Sequence, residues 1–281
     1  MARGTDLNDF EARYPDEPAV MHIPVDSPLM RRARLIELAR SLPSHLVEFN
    51  PGDLPVSVAP GEVPSAGMSA AETIERLGEV NSWMTLRNVE SDPDYQALMN
   101  ALLDHVERPV GAQTGRMLRR EGFIFISSAG AVTPFHIDEE HNILIQVEGE
   151  KEFTIYSQHD RELASQIDLE RFHSGAHRNL QLDPALADRG TTVKMTPGTA
   201  LYVPPLAPHW VRVTGDTPSL SLSITWRSNA SKRMCYLHQI NHQLREAGGS
   251  PRFPGESPMA DQMKIWQASA RARLNRITGG R

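Results

Sequence analysis

Three side chains that could share a metal ion fall within six residues of one stretch. In TPFHIDEEHNILIQVEGEK (133–151) they are His136, Asp138 and His141. Residues i and i+2 of a strand point to the same side, so His136 and Asp138 offer an imidazole and a carboxylate to one point. A second histidine from a neighbouring strand would complete two histidines and one carboxylate. That set holds a non-haem Fe(II) and leaves one face open to other ligands. His209 is the natural candidate, because PPLAPHW places it at the start of a strand just after a turn. His141 has the opposite parity and reads as a loop residue or a neighbour of the ligands. His238 and His242 lie four apart on a helix, but no third ligand accompanies them, and a solvated or interface face is the better reading. With eleven histidines in the chain, an H-x-D triplet arises easily by chance, so the metal reading depends on the elements around it. Taken alone, Lys151 is a turn lysine, Thr133 a turn residue and Asn142 a strand cap.

Those elements are strands. FIFIS (123–127), ILIQV (143–147), EFTIY (152–156), TTVKM (191–195), ALYVP (200–204), HWVRV (209–213) and LSLSITW (220–226) are short runs of high β-propensity. Glu148-Gly149, Pro197-Gly198 and Gly215-Asp216 punctuate them as turns. Leu220, Leu222 and Ile224 alternate with Ser221, Ser223 and Thr225, which is period two with one polar face. Many short strands with turn-rich joints predict a jelly roll or a similar β-barrel. The polar segment 157–190 reads as an insertion with a short helix.

Helical patterns flank this core. Residues 1–26 are polar and broken by prolines, and read as an extended arm. Ser27-Pro28 predicts a helix start, with an apolar stripe ending near Pro43. Residues 50–67 read as loop. Ser69 and Glu72 form a capping box before a short helix. Asp92-Pro93 caps another, which Pro109 is expected to close. After Trp226, residues 231–247 and 258–277 carry helical stripes, the second through Met259, Met263, Trp266, Ala270, Leu274 and Ile277. The organisation is thus 1–119 as an arm and helices packing on the core, 120–227 as the β core, and 228–281 as a C-terminal helix pair, in one structural unit. Trp83 and Trp210 belong to the barrel or its mouth.

Composition narrows the function. A net charge of −6 argues against a general nucleic-acid binder, which needs clustered Lys and Arg for phosphate contacts. Cys235 is the only cysteine, so no intramolecular disulfide and no cysteine-cluster zinc site can form. The N-terminal residues have no apolar segment of the signal-peptide kind, and no window approaches a membrane span. A cytoplasmic protein without membrane association is expected.

The opening stretch resembles the Jumonji C and cupin-like hydroxylases, including the asparaginyl hydroxylase of the hypoxia response. Their pattern T-P-x-H-x-D-x-x-x-N-x-x-x-Q-x-x-G-x-K is matched by Thr133, Pro134, His136, Asp138, Asn142, Gln146, Gly149 and Lys151. A later signature, P-G-x-x-x-x-x-P before a strand histidine, is matched by Pro197, Gly198, Pro204 and His209. The resemblance covers about residues 120–227. It implies a mainly β fold with flanking helices, built on a double-stranded β-helix (jelly roll, cupin-like) core. It implies Fe(II) on His136, Asp138 and His209, and 2-oxoglutarate with its distal carboxylate on Lys151 and Thr133. Asn142 would lie near the iron-bound end. It also implies consumption of O2, hydroxylation of a C–H bond of a protein side chain or small molecule, release of succinate and CO2, and a homodimer through the C-terminal helices. One position departs from the pattern. On a gap-free alignment the strand after His209 should offer an asparagine to the cosubstrate, and Ile224 stands there, with Ser223 and Thr225 beside it. Ile224 is what favours an alternative, a non-catalytic cupin-like module that binds metal or ligand as a scaffold or regulator. A cupin using Zn2+ or Mn2+ for isomerase or hydrolase chemistry is a third reading.

Overall fold

The computed structural model describes residues 8–52, 54–57, 70–76 and 82–277. The first half of the chain contributes α1 (Asn8–Arg13), β1 (Ala19–His22), α2 (Arg32–Ser41), β2 (Val47–Pro51), α3 (Ala70–Glu75), β3 (Ser82–Arg87), α4 (Pro93–Thr114) and β4 (Leu118–Ser127). Then come β5 (Val132–His136), β6 (His141–Glu148), β7 (Lys151–Ile155), α5 (Gln166–His173), β8 (Thr191–Met195), β9 (Thr199–Val203), β10 (His209–Val213) and β11 (Ser219–Arg227). The chain closes with α6 (Asn229–Glu246) and α7 (Pro258–Ile277).

The strands form two antiparallel sheets, β1-β9-β6-β11-β4-β3-β2 and β5-β10-β7-β8. Four central strands of the larger sheet, β9-β6-β11-β4, face the four of the smaller one. This is a double-stranded β-helix, and β1 lengthens one edge while β3 and β2 lengthen the other. Leu144, Leu201, Val203, Phe153, Ile155, Met195 and Val211 fill the space between the sheets. The outer face of the larger sheet carries Ile124, Ile126, Ile143, Ile145, Leu222, Ile224 and Trp226, which pack with Leu35 and Leu38 of α2 and Met99, Leu103 and Val106 of α4. Both faces of β11 are therefore covered. Its polar set, Ser219, Ser221, Ser223 and Thr225, is buried inside the barrel rather than turned to water. Buried hydroxyls require partners, and they find them in the site described below.

The structure corrects several expectations. Of the expected arm 1–26, the described part, residues 8–26, is not an extended arm. They include α1 and also β1, which pairs with β9 from Ala19↔Tyr202 to His22↔Thr199. Phe10, Tyr14, Ala19 and Met21 are buried, and this apolar set outweighs the polar composition around it. Ser27 caps only a short 3-10 turn, Pro28–Met30, and α2 starts at Arg32. Pro109 does not close α4, which runs on to Thr114 because Val110 and Thr114 extend its buried stripe. Proline removes one helical N–H bond, and burial of the following turn offsets that loss. Gly115, at φ +81, then ends the helix. The capping residue proposed for α3, Ser69, and most of the 50–67 loop lie outside the described residues. β2 and β3 carry no periodic signal, yet β3 pairs with β4 from Trp83↔Ser127 to Arg87↔Phe123. Among the described residues, no helix is long and apolar enough to cross a membrane.

Register on β11 yields a test. Ile224 is 1% exposed on the helix-covered face. Ile224→Asn should therefore destabilise the protein by roughly 2–4 kcal/mol, through a buried unpaired amide and lost apolar burial. Urea unfolding measures this, and a neutral substitution would show that Ile224 faces the cavity after all.

Candidate functional site

His136, the last residue of β5, sits opposite His209, the first residue of β10, as a cross-strand pair. Their ring centroids are 4.1 Å apart. Asp138 follows just past the end of β5, and its backbone carbonyl accepts the Leu206 N–H at 2.7 Å, which ties it to the turn before β10. Asp138 Oδ2 lies 3.5 Å from His136 Nε2 and 3.7 Å from His209 Nε2. One donor atom from each of the three falls within 4.8 Å of the others. His136 Nδ1 is 2.6 Å from the Pro134 carbonyl, and His209 Nδ1 is 2.9 Å from that of Ala207. A carbonyl can only accept, so each Nδ1 donates its proton to one, which leaves both Nε2 atoms turned toward Asp138. Burial pulls the His209 imidazolium down to about 3, with His136 adding to the effect, so this ring is a neutral ligand.

Arg178 holds the carboxylate. Its Nη1 donates to Asp138 Oδ1 at 2.8 Å, leaving Oδ2 for the histidine side. Burial would raise the Asp138 carboxyl, but Arg178 and the two imidazoles more than offset that and keep it well below the usual range. Arg178 arrives from the 157–190 insertion. The insertion folds back beside β5, where Ile137 N donates to the Arg178 carbonyl at 3.2 Å and Leu180 N to that of Phe135 at 3.0 Å. Nothing in the sequence links position 178 to position 138, so this residue was not legible.

The same cavity continues inward past Thr133, Asn142, Leu144 and Phe153 to Lys151, with Trp83 and Phe125 in its wall. Lys151 opens β7 after a turn in which Gly149 takes φ +70 and sits so close to the Pro218 carbonyl that a Cβ would approach to 2.3 Å. Its ammonium is buried and donates to Ser221 Oγ at 2.6 Å, across the gap between the sheets. Ser221 donates in turn to Gln146 Oε1 at 2.7 Å, and Gln146 Nε2 donates to Ser219 Oγ at 2.8 Å. Among the described residues no carboxylate pairs with Lys151, and desolvation alone pulls it down to about 7. Asn142 is fixed by Ser223, whose hydroxyl donates to its Oδ1 at 2.8 Å. Ser223, not Ile224, thus occupies the inward position on β11. The Ser/Thr face of LSLSITW was the sequence signal for these partners.

Other histidines go elsewhere. His141 is not a loop residue beside the ligands. It begins β6, stacks on Trp226 at 5.3 Å and 9°, and bonds Tyr202 Oη and Ser228 Oγ at 2.8 and 3.1 Å. Opposite parity sends it to the helix-covered core. His238 is not on a solvated face either but is fully buried, while His242 is half-buried. Trp210 lies outside the cavity, among the residues around Tyr156 and Leu182.

This fold and this site place the chain in a family. Residues 68–232 match the cupin-like domain family, and the chain belongs to it. It is 34% identical over 175 residues to Jumonji C domain-containing protein 5 of Drosophila melanogaster, covering 59% of this chain and 39% of that protein. It is also 34% identical over 113 residues to lysine-specific demethylase JMJ30 of Arabidopsis thaliana, covering 36% of this chain and 25% of that protein. The chain therefore spans well under half the length of these relatives. Among solved structures it is similar to E. coli YcfD, with a TM-score of 0.53 at 21% identity over 97% of this chain and 69% of that one. A YcfD complex with cobalt and 2-oxoglutarate has a TM-score of 0.50 at 18% identity, over 97% of this chain and 67% of that one.

The donor geometry sets an expectation for metal binding. Mn2+, a hard ion suited to imidazole and carboxylate ligands, should bind the wild type and lose at least about 100-fold in affinity in His209→Ala or Asp138→Ala. Electron paramagnetic resonance of free Mn2+ reports this, and unchanged binding in both variants would rule the three residues out as its ligands.

Proposed function

We propose that this chain is an Fe(II)- and 2-oxoglutarate-dependent oxygenase that hydroxylates a C–H bond of its substrate. The observation that carries the reading is Lys151. A buried ammonium without a carboxylate partner is costly. Here it lies in the same cavity as two imidazoles and one carboxylate that converge on a point. An anion that bridges a metal ion and this lysine satisfies both ends at once. A short dicarboxylate with a keto acid head has that form. YcfD, which shares the fold, has been solved with cobalt and 2-oxoglutarate.

In this reading His136, Asp138 and His209 hold the Fe(II). Lys151 and Thr133 would take the distal carboxylate of 2-oxoglutarate, and Asn142, oriented by Ser223, would face its keto acid end. When bound, iron supplies the oxidative decarboxylation of 2-oxoglutarate to succinate and CO2, which leaves one oxygen atom of O2 for the substrate. Arg178 keeps Asp138 ionised and aimed. Trp83, Phe125 and Phe153 line the cavity with apolar surface that limits water. The substrate enters from an open cleft that adjoins Asp138 and Asn142 and is lined by Glu48, Arg87, Glu121, Glu140, Arg178 and Arg227. A cleft this charged and this open suits a polar segment of a protein better than a small apolar molecule. The scaffold alternative rested on Ile224, and with Ile224 on the outer face no observation favours it.

The exposed face of α7 supports the homodimer. Met259, Met263 and Trp266 are 76%, 55% and 72% exposed, with Tyr236 and Leu244 of α6 partly exposed as well. A large apolar stripe that does not pack on its own barrel marks an interface, and a second copy of the same helix pair is the occupant proposed here. Trp266→Glu should convert a dimer to monomer in light scattering without loss of helix content. A wild type that is monomeric at micromolar concentration would end this reading.

Lys151 provides the functional test. Anaerobic titration of the Fe(II)-loaded protein with 2-oxoglutarate should produce a visible metal-to-ligand charge-transfer band. Lys151→Met should weaken cosubstrate binding about 10–100-fold, the worth of one charged hydrogen bond, while leaving metal binding intact. The pH dependence follows from the free lysine, which titrates at about 7. Below that pH the ammonium is already charged. Above it, binding a dianion must take up a proton, so affinity should fall by up to about tenfold per pH unit. A band that is absent in the iron-bound wild type, or an affinity that rises with pH, would count against the assignment.

A further inference from the structure

A second convergence of ligand-type side chains lies beside the first and has no part in the proposed reaction. Glu139, His173 and Cys235 bring a carboxylate oxygen, a ring nitrogen and a thiol sulfur within 4.8 Å of one another. They come from three separate places: the turn after β5, the last residue of α5 and the second turn of α6. His173 is 9% exposed, and among the described residues neither of its ring nitrogens has a hydrogen-bond partner. The ring of His238 stacks on it at 5.1 Å and 17°, fully buried and likewise without a partner on either nitrogen. Two buried imidazoles with four unsatisfied nitrogens call for a polar partner that the described residues do not provide. Burial pulls His173 down to about 4 and His238 to about 3, so each ring is neutral near pH 7 and keeps a lone pair for a ligand.

The carboxylate is already oriented. Glu139 Oε1 accepts from Arg227, which also bonds Glu140, while Glu139 Oε2 faces His173 Nδ1 at 3.8 Å. A pocket walled by Pro205, Leu206 and Met234 reaches Glu139 and His173 from outside, so the cluster is accessible to a small ion and its water.

We propose that Glu139, His173 and Cys235 form a second cation site, distinct from the His136–Asp138–His209 set, for a borderline-soft divalent ion of the Zn2+ class. The donor set decides the class. Ca2+ and Mg2+ need shells of oxygen ligands, whereas one sulfur, one nitrogen and one oxygen suit the tetrahedral preference of Zn2+. Donors around such an ion stand roughly 3.5 Å apart, given bonds of about 2.0–2.3 Å. The present separations, all within 4.8 Å, would have to close to that value on binding. Water from the pocket supplies the fourth position. Burial, with Glu139 adding to it, pushes the Cys235 thiol up to about 11, so the free thiol is protonated. Binding therefore exchanges the S–H bond for a sulfur–metal bond and releases one proton to solvent, with no change of oxidation state. An ion held here would fasten α5 and α6 to the turn that carries Asp138.

Cobalt(II) loading under anaerobic conditions tests the site without reference to turnover. The wild type should take up two equivalents and develop an intense near-ultraviolet thiolate-to-cobalt band. The His136–Asp138–His209 set has no sulfur and cannot produce that band, and Cys235 is the only cysteine in the chain. In Cys235→Ser the band should vanish and the uptake fall to one equivalent. In His136→Ala the band should persist, and in His173→Ala the affinity of the sulfur site should fall at least tenfold. A wild type that binds one equivalent and shows no thiolate band overturns the proposal, whatever the variants do. Loss of the band in His136→Ala overturns the claim that the two sites are distinct.

Discussion

The central strands β6 and β11 of the larger sheet are buried on both faces, and period two then assigns each of their buried side chains either to the helical core or to the barrel interior. That constraint fixes the site. On β11, Leu222 and Ile224 are locked against α2 and α4, so Ser221 and Ser223 must point inward. On β6, Ile143 and Ile145 lie in the same outer core, so Asn142 and Gln146 point inward as well. A slip of one residue on β11 would place Leu220 or Leu222 against Lys151 and turn the hydroxyls toward the helix-covered core. The apolar outer face thus holds the polar inner face in register, and the helices that cover it are as much a part of the site as the strands.

Inside the barrel the charges are arranged asymmetrically. At the mouth, Asp138 is balanced by Arg178 and flanked by imidazoles whose protons are turned away toward backbone carbonyls. At the depth of the cavity, Lys151 has only neutral neighbours, a serine and through it a glutamine. Among the described residues no carboxylate lies beside it. The distance between the two ends is set by the antiparallel pairing of β10 with β5 on one side and β7 on the other, from His209↔His136 to Val213↔Lys151.

The inserted segment 157–190 and the C-terminal helices do more than decorate the barrel. The insertion brings Arg178 to Asp138 and, through α5, His173 to Glu139. Helix α6 adds Cys235 and His238 to the same region, and Arg245 anchors it to the buried Glu170 of α5. The turn 138–140 is thereby held from both sides, by residues far from it in sequence.

By itself the sequence determined seven of the eight core strands, the C-terminal helix pair and the residues His136, Asp138, His209, Asn142 and Lys151 that line one cavity. The reason is that these signals are local: period-two alternation, turn dipeptides and a motif of fixed spacing. Tertiary structure decided what is not local. The pairing of β1 with β9 depends on Ala19 and Met21 finding a sheet edge, and the passage of α4 through Pro109 depends on Val110 being buried. Whether Ile224 or Ser223 faces the cavity is a question of which face the helices cover, which spacing alone does not answer. Arg178, His173 and Cys235 enter only because α5, α6 and the insertion pack together. Side chains that meet from separate elements leave no periodic trace in the chain, and packing alone brings them to one place.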